Sequence, residues 1–76
     1  MNTYLEMYVI EGCPYCNASR DLVKEYNIPT DLKIVAPKDK SRVKAMNKMN
    51  TFPQIFLHKN GKRTKIGGYV DLVNSL

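Results

Sequence analysis

The 76-residue chain lacks any apolar run near the roughly 20 residues that span a bilayer. Its start, MNTYLEMYVI, lacks the basic region and the continuous apolar stretch of a secretory signal. A soluble, unprocessed, cytoplasmic protein without a membrane partner is expected. Cysteine is scarce: there are two, Cys13 and Cys16. A disulfide between them would close so short a loop that chain entropy gains little. That argues against a secreted disulfide scaffold and for a reducing compartment. The ligands for a tetrahedral zinc site are missing too, since four are needed and only His58 joins the two cysteines as a nitrogen or sulfur donor. No metal is expected, and His58 reads as a surface residue at a strand end. Repeats, linkers and low-complexity tracts are absent, so residues 1–76 are taken as one domain. A domain this small buries only about 60% of its unfolded surface.

Acid is scarce beside base, with 7 Asp+Glu against 12 Lys+Arg and a formal charge of +5. The cations fall in two groups: Lys38, Lys40, Arg42, Lys44 and Lys48, then Lys59, Lys62, Arg63 and Lys65. Solvated faces of a helix and a hairpin explain them most simply. No groove-reading motif accompanies the charge, so no nucleic-acid partner is expected. Steering of small anionic substrates is the remaining use for it.

The pattern of apolar residues orders the chain. Tyr4 to Ile10 is aromatic and β-branched and reads as a strand. Pro14 opens a helix to about Tyr26, with Ala18, Leu22, Tyr26 and Val23 inward and Arg20, Asp21, Lys24 and Glu25 outward. Asn27 suits the left-handed position that ends a helix, and Pro29 prevents continuation. Asp31 to Ala36 is a short apolar strand. Pro37 and Asp39 start a second helix whose buried stripe is Val43, Met46 and Met49. Gln54 to His58 and Arg63 to Ile66 are strands joined through Lys59-Asn60-Gly61-Lys62, a tight-turn signal. Gly67-Gly68 ends the last strand, and Tyr69 to Leu76 forms a final helix carrying Leu72, Val73 and Leu76. The order is β-α-β-α-β-β-α. A strand–helix–strand unit implies a parallel pair with a right-handed crossover, and the hairpin adds two antiparallel strands. An α/β fold with one mixed four-stranded sheet follows.

The two cysteines flank the proline of Cys13-Pro14-Tyr15-Cys16. Proline is favoured at the first helical position, where its missing N–H costs nothing. Cys13 therefore sits at a helix N-terminus, where free N–H groups and the helix dipole stabilise a thiolate. Cys16 lies one turn inside. That placement makes Cys13 the nucleophile and Cys16 the thiol that resolves a mixed disulfide on it. Packing alone would not set both thiols across a helix-start proline. Two more distant stretches stand out. Thr51-Phe52-Pro53-Gln54 puts a proline at the start of a strand, a place where a cis bond is an option. Gly67-Gly68-Tyr69-Val70-Asp71 leads two glycines into a helix, where backbone N–H groups can receive a carboxylate or phosphate. Asp71 there suits either capping the helix or receiving an ammonium.

Taken in order, CPYC at 13–16, TFPQIF at 51–56 and IGGYVDL at 66–72 resemble the active-site, cis-proline and glycine-pair motifs of glutaredoxins. The resemblance extends over nearly the whole chain and is similar to the short bacterial, phage and viral members. It implies a thioredoxin-like fold and a glutathione-dependent thiol–disulfide oxidoreductase acting through Cys13 and Cys16. It also implies a glutathione groove in which Phe52 offers its main chain, beside Thr51 and Pro53. Tyr15 would form one wall, while Gly68, Tyr69, Val70 and Asp71 would hold the γ-glutamyl end. Glutathione would be a co-substrate, with no tightly bound cofactor. Disulfide-containing or glutathionylated proteins would be the partners, ribonucleotide reductase among the candidates, and the chain would act as a monomer. Two alternatives stay open: a redoxin reduced by thioredoxin reductase, and an iron–sulfur-binding member. One departure is Ile10, followed by Glu11, where the family commonly carries a Lys or Arg. Either the helix terminus suffices, or Lys38, Lys40 or Arg42 supplies the cation.

Overall fold

Thr3–Val9 forms the strand on which the sheet is built (β1), and Leu5 to Val9 are buried without a break. A strand buried on both faces belongs at the centre of a sheet. In the computed structural model, which describes residues 3–76, it is followed by α1 (Pro14–Glu25), β2 (Thr30–Ile34) and one 3-10 turn (Pro37–Asp39). Then come α2 (Lys40–Asn47), β3 (Gln54–Lys59), β4 (Lys62–Gly67) and α3 (Tyr69–Ser75). The sheet order is β2-β1-β3-β4. β1 is parallel to β2 and antiparallel to β3, and β3 is antiparallel to β4. This is the thioredoxin-like α/β arrangement with a mixed four-stranded sheet. Asn60 (φ 52°) and Gly61 (φ 81°) supply the two positive angles of the hairpin turn.

Register divides the strands into two faces. Leu5 lies opposite Leu57 and Met7 opposite Ile55, and Leu72 of α3 packs on that side with Val23 and Cys16 of α1. The other face carries Tyr8 opposite Gln54 and Glu6 opposite Phe56, and α2 reaches it through the Asn47–Gln54 hydrogen bond.

Several expected stripes are rotated or shortened. On α1 the buried residues are Cys16, Ser19 and Val23, whereas Tyr26 is 57% exposed and lies beyond the helix. Burying the Cys16 thiol sets the phase of the helix. The Ser19 hydroxyl is accommodated by donating to the Tyr15 carbonyl at 2.8 Å. Asn27 takes the left-handed conformation expected of it (φ 53°). β2 is an exposed edge strand, with Ile34 in solvent, and the buried residue there is Val35 just past its end. α2 ends at Asn47 because Lys48 turns left-handed (φ 54°), so Val43 and Asn47 are its buried pair while Met46 is exposed. On α3 only Leu72 is buried, and Val73 and Leu76 face outward.

His58 is not a free surface residue. Glu6, 5% exposed, accepts from Tyr8 Oη (2.7 Å), Lys33 Nζ (2.6 Å) and Arg63 Nε (2.9 Å), and it pairs with His58 Nε2 (2.9 Å). Tyr4 stacks on the far side of His58 at 4.6 Å, and the Arg63 guanidinium lies 3.7 Å over the Phe56 ring. Burial works to raise the Glu6 pKa, but the hydrogen bonds from His58, Lys33, Tyr8 and Arg63 outweigh it and hold the carboxyl well below the usual range. A carboxyl depressed on folding stabilises the native state fully above its unfolded value of about 4.3, and the contribution fades as pH falls below that. Glu6→Gln is therefore expected to cost about 2 kcal/mol at neutral pH, since it removes the carboxylate that Lys33 and Arg63 share. Urea unfolding measured against pH checks this: the stability gap between wild type and variant should shrink on acidification.

Candidate functional site

Cys13 is the N-cap of α1, with extended backbone (φ −106°, ψ 109°) and Pro14 at the first helical position. Its sulfur accepts the Cys16 N–H at 3.2 Å, which satisfies one of the orphan donors of the helix start. As a thiol it also donates towards the Phe52 carbonyl, 3.7 Å away. Cys13 is half-buried and Cys16 fully buried, and both are free thiols. Burial first, and the adjoining Cys13 sulfur second, push the Cys16 thiol up to about 12. Two chemically unequal sulfurs result from one turn of helix. The outer one is reachable and accepts an N–H, and the inner one keeps its proton.

The carbonyl facing Cys13 belongs to the loop between α2 and β3. A buried amide pair sets that loop. Asn47 Nδ2 donates to Gln54 Oε1 at 2.8 Å, and Gln54 Nε2 donates to the Met49 carbonyl at 3.3 Å. Thr51, Phe52 and Pro53 lie between those anchors, with the Phe52–Pro53 bond cis. Phe52 and Pro53 are buried and Thr51 is exposed.

The third segment is the turn into α3. The Gly68 N–H donates to Asp71 Oδ2 at 3.0 Å, so Asp71 does cap the helix. Gly67 has φ 123°, and a Cβ at that position would strike the Asp71 carboxylate. Only glycine fits there. Tyr69 stacks against Tyr15 of α1, with ring centroids 5.9 Å apart.

These three segments enclose a groove of about 360 Å³. Tyr15, Thr51, Phe52, Pro53, Gly68, Tyr69, Val70 and Asp71 all line it, and Met49 joins them. Met49, whose spacing predicts a place in the stripe of α2, is moved into the loop and onto the groove wall by the left-handed turn at Lys48. Cys13 touches the groove through Phe52, at one edge. Beyond the Cys13–Cys16 turn lies a second cavity of about 310 Å³, lined by Ile10, Glu11 and Lys40 among others. Of Lys38, Lys40 and Arg42, Lys40 is the one that lines the cavity. Arg42 is paired with Asp39 at 3.3 Å. Among the described residues, no group of three His, Cys, Asp or Glu side chains is placed to hold a metal, and no helix is long and apolar enough to cross a membrane.

A family model described as Glutaredoxin matches residues 5–62. Glutaredoxin 1 from Francisella tularensis, solved in complex with cacodylate, superposes with a TM-score of 0.82 at 28% identity, covering 97% of this chain and 92% of that one. The solution structure of glutaredoxin from Brucella melitensis gives 0.71 at 26% identity, covering 93% and 75%. No curated protein sequence matches the chain.

The amide pair yields a test of how the loop is held. Gln54→Leu keeps the volume but strands the Asn47 amide and the Met49 carbonyl. Unsatisfied buried polar groups make the expected loss about 1–3 kcal/mol, read as a lower midpoint in chemical denaturation.

Proposed function

The chain belongs to the glutaredoxin family of thiol–disulfide oxidoreductases, and we propose that its reaction depends on glutathione. One observation carries the reading: three separate segments form a groove whose edge is the carbonyl 3.7 Å from the Cys13 sulfur. Glutathione is an extended tripeptide with a main chain to pair and charged groups at both ends. The Phe52 main chain suits its cysteinyl unit, and the Tyr15–Tyr69 wall suits its backbone. The exposed carboxylate of Asp71, with one oxygen taken by Gly68, leaves the other for the γ-glutamyl ammonium. Lys40, in the cavity with Ile10 and Glu11, supplies a cation for the glycyl carboxylate where the family's usual basic residue is missing.

The steps follow from the inequality of the thiols. Cys13 thiolate, held by the Cys16 N–H, attacks the glutathione sulfur of a glutathionylated protein. The old S–S bond breaks, and the protein thiolate departs and takes a proton from water. Cys13 now carries glutathione. The thiolate of a second glutathione attacks the glutathione sulfur of this adduct, giving glutathione disulfide and free Cys13 thiolate. With a protein disulfide, Cys13 forms the mixed disulfide first. Cys16 loses its proton, attacks Cys13 and releases the reduced partner, and two glutathiones then reduce the Cys13–Cys16 bond. A raised Cys16 pKa keeps the inner thiol protonated, so it does not compete for substrate.

Turnover of a glutathione mixed disulfide with glutathione and its reductase tests the reading. Cys13→Ser should abolish turnover. Cys16→Ser should retain it while losing reduction of protein disulfides. Faster turnover with thioredoxin reductase as the electron source would replace glutathione as the donor. Lys40→Ala is expected to raise KM for glutathione about five-fold, or about 1 kcal/mol, with kcat little changed.

A further inference from the structure

Charge is divided unevenly along this chain. Residues 38–65 hold nine of the twelve Lys+Arg and only one of the seven Asp+Glu, Asp39. Asp39 pairs with Arg42, and Arg63 pairs with Glu6, while Lys44, Lys48 and Lys65 make no salt bridge among the described residues. The topology puts Lys48 and Lys65 at the redox end of the sheet, and Lys44 is one turn before Lys48, its carbonyl accepting the Met49 N–H at 3.1 Å. β1, β2 and β4 run towards that end and β3 starts from it, so the connection carrying α2 leaves and re-enters the sheet there. The Lys65 ammonium reaches from β4 to the Lys48 carbonyl at 3.3 Å, which holds two cations together beside Met49, a wall of the groove. The groove's own acid, Asp71, is already engaged by the Gly68 N–H. Tyr15 and Val70 stand more than 60% exposed on its rim and offer apolar contact.

We propose that Lys44, Lys48 and Lys65 form a docking band for an acidic segment of the protein substrate, next to its disulfide or glutathionylated cysteine. The proposal rests on the redox reading above. Like-signed, unpaired charge beside a reactive thiol raises the encounter rate of oppositely charged partners and repels basic ones. Nucleic acid suits the band less well. Single strands are held by cations together with aromatic stacking platforms; Phe52 and Phe56 nearby are buried, and the exposed ring on the rim, Tyr15, is already stacked against Tyr69.

Three peptides with one glutathionylated cysteine test this, identical except for flanking Glu, Ser or Lys. At low salt the Glu peptide should be turned over about ten times faster than the Ser peptide in kcat/KM, and the Lys peptide more slowly. The difference should collapse at about 0.3 M salt, where screening is strong. The combined substitution Lys44→Gln, Lys48→Gln and Lys65→Gln should erase the preference and leave the mixed disulfide of glutathione and 2-mercaptoethanol unaffected. Equal rates on all three peptides, with that small substrate still consumed, would overturn the docking band alone. Should no substrate be consumed at all, the redox reading fails, and docking is then decided by titration. In that titration unreactive Cys13→Ser protein is mixed with the Glu peptide and with a single-stranded oligonucleotide of equal charge. Tighter binding of the peptide supports the band, and tighter binding of the oligonucleotide overturns it.

Discussion

Everything at the redox end of this molecule follows from one residue being both inside and useful. Cys16 buries its side chain in the core and offers its backbone N–H to the sulfur of Cys13. The first act fixes the rotation of α1 about its axis, and the second fixes where the outer sulfur points. Proline at the first helical position makes both possible by starting the helix there and nowhere else. The carbonyl of Phe52 and the Tyr15–Tyr69 pair are then positioned against an already determined sulfur.

The two faces of the sheet solve burial differently. The α1–α3 side is an apolar core of Met7, Ile55, Leu57 and Leu72. The α2 side is only partly roofed, and Glu6 is closed over by the stems and charges of Lys33 and Arg63 and by the His58 ring. Long basic side chains can cover apolar rings in this way while their charged ends stay wet. A short chain thereby protects a second sheet face without another helix, and the polar cluster substitutes for missing layers of structure.

Much of the architecture was legible because it is written locally. A proline between cysteines, Asn-Gly in a hairpin and paired glycines before a helix each restrict the backbone within a few residues. The groove residues were legible for a different reason: three motifs in a fixed order resemble one family, and the folded chain brings all eight together. What stayed hidden depends on partners far away in sequence. Glu6 meets His58 and Arg63 across more than fifty residues, so an acid in an apolar strand and a lone histidine looked unrelated. The helix stripes held in part. Val23 and Val43 are buried and Leu22 packs partly buried against the core, but Met46 is exposed, and a thiol and an amide, Cys16 and Asn47, fill core places that hydropathy does not single out.

The unequal burial of the two sulfurs also bears on damage. An alkylating agent or a peroxide arriving at the reduced protein finds Cys13 within reach and Cys16 shut away with its proton in place. Attack is thus confined to the outer thiol. Once that sulfur reaches the sulfenic level, the hidden neighbour can condense with it to a disulfide before further oxygen is added. In this fold shelter for one cysteine becomes a safeguard for the other.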